Sequence, residues 1–222
     1  MIFRHFLSIC LCAVYPVFLT LSGCTSYGPA KHPELAPPSE GSADEIVAGD
    51  STFEIHFVPL FDKERANAYL GINPARSKIM PALVKVVNLD KQPIKVDLRG
   101  SYLVVDPNEH WNSLELGEAI RRALRNDAEV VGWMFAFGLP AWYAAAGNAA
   151  NTNRTLEQDY HAKYFKPTLI NAGASGQGVV FFDAPQQGEY HISAAVIRVR
   201  KVNAGPDADI RLAVGQDVRI LP

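Results

Sequence analysis

Cysteine is scarce in this 222-residue chain: Cys10, Cys12 and Cys24 are the only three, and none follows residue 24. Everything beyond that point must hold together by packing alone, without disulfides. An excess of one charge is also missing, since 21 Lys and Arg stand against 23 Asp and Glu. That balance excludes the strongly basic surface of a nucleic-acid binder. Apolar residues make up 48% of the chain, too many for a disordered protein. No internal repeat at solenoid spacing is visible.

Catalytic motifs are lacking as well. Gly173-Ala-Ser175-Gly176-Gln177 falls one residue short of a nucleophile elbow, because Gln177 occupies the place of the second glycine and a strand follows. Gly176-Gln-Gly178 is not a dinucleotide fingerprint, since Phe181 stands at the third glycine. His56, His110, His161 and His191 have no metal-ligand spacing. Asp106, Asn108 and Glu109 carry oxygens that calcium could use, yet Asp-Pro-Asn is first of all a turn. The sequence therefore predicts no catalytic residue, no metal and no cofactor.

What is present begins with Leu21-Ser22-Gly23-Cys24. Arg4 gives the N-terminus a positive charge, and the apolar run from Phe6 to Leu21 is short for a membrane span. Small residues at Ser22 and Gly23 suit a peptidase that cuts just before the cysteine. These four residues resemble the bacterial lipobox. The resemblance implies a signal peptide over 1–23, removed together with Cys10 and Cys12, and acylation of Cys24. Each buried methylene of such chains adds about 0.8 kcal/mol of membrane affinity. Thr25, where aspartate would signal inner-membrane retention, points to the outer membrane, with the protein facing the periplasm.

Residues 24–50 are predicted as an acylated N-terminus and flexible tether. Pro29, Pro33, Pro37 and Pro38 with Gly28, Gly41 and Gly49 leave nothing to bury. As a coil the segment spans about 30 Å, and at full stretch about 85 Å.

Residues 51–222 are long enough for one domain with a substantial core. Phe53, Ile55 and Phe57 alternate with Glu54 and His56 as a half-buried strand does. Asp62 and Gly71 bracket a short helix. Further strands are predicted over 79–89, over 94–99 with Lys95, Asp97 and Arg99 outward, and over 102–105. Val179 to Phe182 is apolar throughout, as a central strand buried on both faces would be. Additional strands follow over 188–199, 210–214 and 218–220.

Leu116, Ile120 and Leu124 recur at helical spacing, with Asn112 or Ser113 placed to cap and Glu118 set to pair with Arg122. Leu156, Tyr160 and Tyr164 form a second helical stripe, stopped by Pro167. The fold class is therefore mainly β: a sandwich of seven to eight strands, interrupted by an α-helical, apolar insertion at about 112–165.

Leu83-Val-Lys-Val-Val-Asn88, Ile94 to Leu98 and Tyr102 to Asp106 are similar to the first half of telokin-like, immunoglobulin-like domains of bacterial envelope proteins. Asn171-Ala-Gly173 through Gly178-Val-Val-Phe181-Phe182, followed by Gly188-Glu-Tyr190-His-Ile192, resembles their second half. The resemblance carries no catalytic residues and implies a module for binding or assembly.

One segment stands apart. Residues 130–147 carry no charge, and Trp133, Phe135, Phe137, Trp142 and Tyr143 crowd it with aromatics. Pro140 in its middle argues against a membrane-spanning helix, as does the need for strands on both sides of it to share one sandwich. The five aromatics either fold down as core or form an exposed patch toward a partner or the bilayer surface. Arg121, Arg122 and Arg125 add a small basic face nearby.

Together these features predict a lipid-anchored, non-catalytic envelope protein. It is attached to the membrane by its N-terminal lipid and docks a protein partner through the insertion. The alternative is a periplasmic receptor for a lipid or small apolar ligand held beneath the insertion.

Overall fold

The structure, a computed structural model, describes residues 45–71, 77–105, 109–124, 153–184, 188–199 and 208–220. The strands are β1 (Ile46–Gly49), β2 (Phe53–Pro59), β3 (Ile79–Asn88), β4 (Ile94–Val96) and β5 (Tyr102–Val105). They continue as β6 (Glu109–Asn112), β7 (Thr168–Ile170), β8 (Ser175–Asp183), β9 (Gly188–Val199) and β10 (Ala208–Ile220). Three helices accompany them: α1 (Lys63–Leu70), α2 (Leu116–Ala123) and α3 (residues 153–163). One antiparallel sheet runs β1-β2-β3-β8 and a second runs β10-β9-β5-β6, while β4 and β7 form a small ribbon.

Alternation explains why the two sheets face each other. Phe53, Ile55 and Phe57 of β2 and Val84 and Val86 of β3 bury against Leu103 and Val105 of β5 and Ile197 and Val199 of β9. The protein is mainly β and sandwich-like, as the pattern predicts, although ten strands are described instead of seven or eight. The alternation changes phase once within β9. Ile192 points inward, and so do Ala195, Ile197 and Val199, because the ladders to β5 and β10 both shift register beside Ser193.

Further sequence expectations need correction. β1 lies inside the stretch read as tether, and its Ile46 and Ala48 pack against the inter-sheet core. β6 was not foreseen; its one buried side chain, Trp111, gives a mostly polar segment a reason to pair with β5. Asn112 and Ser113 do not cap α2. Asn112 belongs to β6, and Ser113 bridges to Phe182, so the helix starts later, with Glu115 at its N-cap and no side-chain cap bond. Asp97 is buried instead of outward, gripped by the Arg99 guanidinium through both carboxylate oxygens.

α1 forms as predicted. The Asp62 carboxylate accepts from the Arg65 backbone N–H at 2.7 Å, and Gly71 ends the helix at φ 66°. Buried Asn88 joins two turns: its amide donates to the carbonyls of Gln92 (2.8 Å) and Ile170 (3.0 Å) while its oxygen accepts from Asp90 N–H (2.9 Å).

Val179 to Phe182 are all buried, yet β8 sits at the end of its sheet. Its outer edge is covered by chain leaving α3 and by chain entering α2. Phe165 N–H donates to the Val179 carbonyl at 3.0 Å, and Leu114 N–H donates to that of Phe181 at 2.7 Å. Gly178 permits that approach, because a Cβ there would lie 2.5 Å from the Phe165 Cα. Gly178→Ala is therefore expected to destabilise the domain by roughly 1–3 kcal/mol. Gly117→Ala, on the exposed side of α2 with open space around it, is expected to stabilise by about 0.5–1 kcal/mol. Chemical denaturation of both variants checks the pair.

Candidate functional site

The face of the first sheet that points away from the sandwich carries a second apolar layer. Leu83 of β3 and Val179 and Phe181 of β8 cluster there with Ala66 and Leu70 of α1, Ala119 and Ile120 of α2, and Leu156 and Tyr160 of α3. The Tyr160 ring stacks on Phe181 with centroids 4.9 Å apart, and Tyr164 lies parallel to the same ring at 6.3 Å. Leu124, just after α2, packs on this cluster, and Leu156, in the first turns of α3, is buried in it. The described residues on either side of 125–152 thus meet in one apolar cluster.

Trp133, Phe135, Phe137, Trp142 and Tyr143 fall within that interval and lie outside the described residues, as does Cys24. No helix among the described residues is long and apolar enough to cross a membrane.

The layer contains an ion pair that sequence reasoning missed. Lys163 Nζ lies 2.8 Å from Asp159 Oδ2, with side-chain exposures of 4% and 5%. Leu156, Asp159, Tyr160 and Lys163 follow i, i+3, i+4, i+7 spacing, so both charges sit on the buried stripe of α3. That position was the available signal. Lys163 also donates to the Tyr69 carbonyl at the C-terminal end of α1 and lies 5.0 Å above the Tyr69 ring. The ammonium therefore meets a carbonyl of the last helical turn, where carbonyls lack partners within the helix, and it ties α1 to α3. The Tyr69 hydroxyl is buried without a hydrogen-bond partner among the described residues. Its pKa is pushed up to about 12, first by burial and then by the charge of Asp159.

A shallow recess beside this layer is lined by Asp97, Arg99, Ser113, Leu114, Tyr164 and Phe165, among others, and has room for little more than a water molecule. The Tyr164 phenol is shifted upward, mainly by burial and further by Asp97 and Glu115. A phenol held protonated beside a carboxylate already paired with Arg99 supplies neither a base nor a nucleophile at neutral pH.

The other singled-out residues do not converge. His56 lies between Glu45 and Glu54, His110 stacks on Tyr102, and His191 meets Asp217 at 2.7 Å. Glu109 accepts from the Trp111 indole at 2.9 Å, while Asp106 and Asn108 lie outside the described residues. Among the described residues no group of three His, Cys, Asp or Glu is disposed to hold a metal. Arg122 pairs with Glu118 at 2.9 Å, as predicted, and also with Asp183; Arg121 pairs with Glu118 too. The described part of the basic face is thus neutralised, and Arg125 lies outside the described residues. Comparison with protein-family models and with curated proteins returns no match.

Two outcomes test the layer. Asp159→Ala or Lys163→Ala alone is expected to cost about 3–5 kcal/mol in denaturant unfolding, because each takes the opposite charge away from a buried ion. The double variant Asp159→Leu/Lys163→Met is expected to cost far less than the sum of the single variants. Tyr69 makes stability depend on alkaline pH. With the folded pKa near 12 and an unfolded value near 10, its contribution is complete below about pH 10 and is lost as pH rises toward 12. Tyr69→Phe is expected to leave stability at pH 7 nearly unchanged and to shallow that alkaline loss, as read by Tm against pH.

Proposed function

We infer that this chain is a lipid-anchored, non-catalytic protein of the bacterial envelope that docks a protein partner through its apolar insertion. Acylation at Cys24 supplies the anchor, and the outer membrane facing the periplasm is the compartment. The β globule is the rigid support, of the immunoglobulin-like, telokin-like type. Support for that type comes from two facing antiparallel sheets and from the turn at Asn171–Gly173, which Asn88 stitches to the preceding ribbon.

The observation that carries the docking reading is the rooting of residues 125–152. Both flanks, Leu124 and Leu156, belong to one apolar cluster on the outer face of the first sheet. Between these flanks the sequence carries the uncharged, aromatic-rich stretch 130–147, whose Trp and Tyr residues suit an interface. The described recess, with room for about one water, offers nothing to a lipid-sized ligand.

Photo-crosslinking in cells tests this reading. A photoreactive residue at 133 or 142 is expected to capture one discrete envelope protein, while one at exposed Lys95 captures none. Lipid adducts in place of protein would transfer the assignment to a ligand receptor, and absence of any adduct at both positions would remove the docking role. Mass analysis of the native protein is expected to show an N-terminus at residue 24 bearing fatty acid, lost in Cys24→Ser.

A further inference from the structure

We propose that β10 is the surface on which two copies of this chain meet, paired antiparallel about Val214. A strand at the end of a sheet turns every second N–H and C=O outward, and proteins keep such ends short or covered. Three of the four ends of the two larger sheets follow that rule: β1 and β6 have four residues each, and β8 is covered by Phe165 and Leu114. β10 does not. It runs for 13 residues and, among the described residues, pairs only with β9.

The side chains choose the occupant. Ile210, Leu212, Val214 and Val218, all even-numbered, turn to the core between the sheets. The odd-numbered Asp209, Arg211 and Asp217 are exposed, and Arg219 shares their parity. In a two-fold antiparallel pair centred on Val214, Arg211 stands opposite Asp217 of the second copy and Asp209 opposite its Arg219, each contact occurring twice. The smallest slip that keeps the faces matched sets Asp209 against Asp217 in one direction and Arg211 against Arg219 in the other. Like charges directly opposite destabilise a ladder, so the strand is written for one register with itself. Arg211 needs such a partner: its neighbour across the ladder to β9 is Val196, and it makes no ion pair with the described residues. Asp209 and Asp217 already meet Arg198 and His191 at 2.8 and 2.7 Å, and a carboxylate has lone pairs for a second donor. Near the axis Ala213 meets Gly215, whose surroundings are open, so no bulk holds the two backbones apart. The bend at Gly215, φ 58°, lies where the ladder to β9 shifts register. It falls beside the axis in both copies, which leaves each half of β10 to pair with the opposite half of the other. The pairing rests on neither the anchor nor the insertion.

Light scattering on the mature full-length protein, held in an excess of detergent micelles, reads the pairing. The unaltered protein is expected to carry the protein mass of two copies. Arg211→Asp and Asp217→Arg fall at exposed positions away from the core, so each is expected to keep the Tm of the unaltered protein. Each is expected to raise the dissociation constant of the dimer about tenfold or more, because both symmetric contacts turn into like-charge pairs. Mixed in equal amounts, the two variants are expected to associate as tightly as the unaltered protein, since opposite charges then meet at both contacts. A monomer at every concentration would overturn the proposal, and the charges and the bend would then be guards of an open edge. So would a different protein in place of the second copy, a dimer indifferent to both variants, or a mixture of the variants that stays apart.

Discussion

The rest of the structure depends on the double burial of one strand. Val180 and Phe182 of β8 belong to the core between the sheets, while Val179 and Phe181 belong to the layer beneath the helices. A strand apolar on both faces must be covered twice, and a two-sheet sandwich covers it once. The helical layer supplies the second cover. Its members are not decoration on a finished β domain, because without α1, α2 and α3 the Phe181 ring would face water. The insertion that divides the β sequence is therefore partly structural: α2 and α3, at its two ends, belong to the cover of β8.

The same requirement explains the polar pieces. β8 ends its sheet, so its outer carbonyls need donors, and Leu114 and Phe165 provide them from the two sides of the insertion. Arg122 holds α2 against Asp183 at the end of β8, and Lys163 holds α3 against the end of α1. A buried Lys–Asp pair adds little net stability compared with apolar side chains of equal size. It does reject alternative packings, since any shift of α3 on the sheet would strand a charge in an apolar layer. The helices are thus placed in register as well as covered.

Much of this was legible from residue order. Asp62 and Gly71 announced α1, and the two-residue alternation of Phe53, Ile55 and Phe57 announced β2 with its inward face. What escaped did so for physical reasons. β1 reads Ile-Val-Ala-Gly between polar residues, too short for a period to show, and only its pairing with β2 reveals it. β6 offers a single inward residue, Trp111. Asp97 looked outward because its neutralising partner, Arg99, is two residues away and loops back over it. Ser113 looked like a helix cap until a tertiary bridge to Phe182 claimed it. Asp159 and Lys163 went unnoticed, although their place on the Leu156–Tyr160 stripe marks them as interior. Of the residues singled out for function, Cys24 and the aromatics from Trp133 to Tyr143 were legible only as chemistry, with no place in the described fold.

The hairpin of β1 and β2 has a mechanical meaning. The chain enters it at the open end, where Ile46 faces Phe57, and the turn closes it beyond Gly49 and Glu54. Tension arriving from the N-terminal side loads the first rung alone, then the next, so the ladder unzips and is never sheared as a block. β2, β3 and β8 stay paired while β1 yields, and the six residues from 45 to 50 release about 20 Å of slack. A protein pulled from that side carries its own fuse, placed ahead of the core it protects.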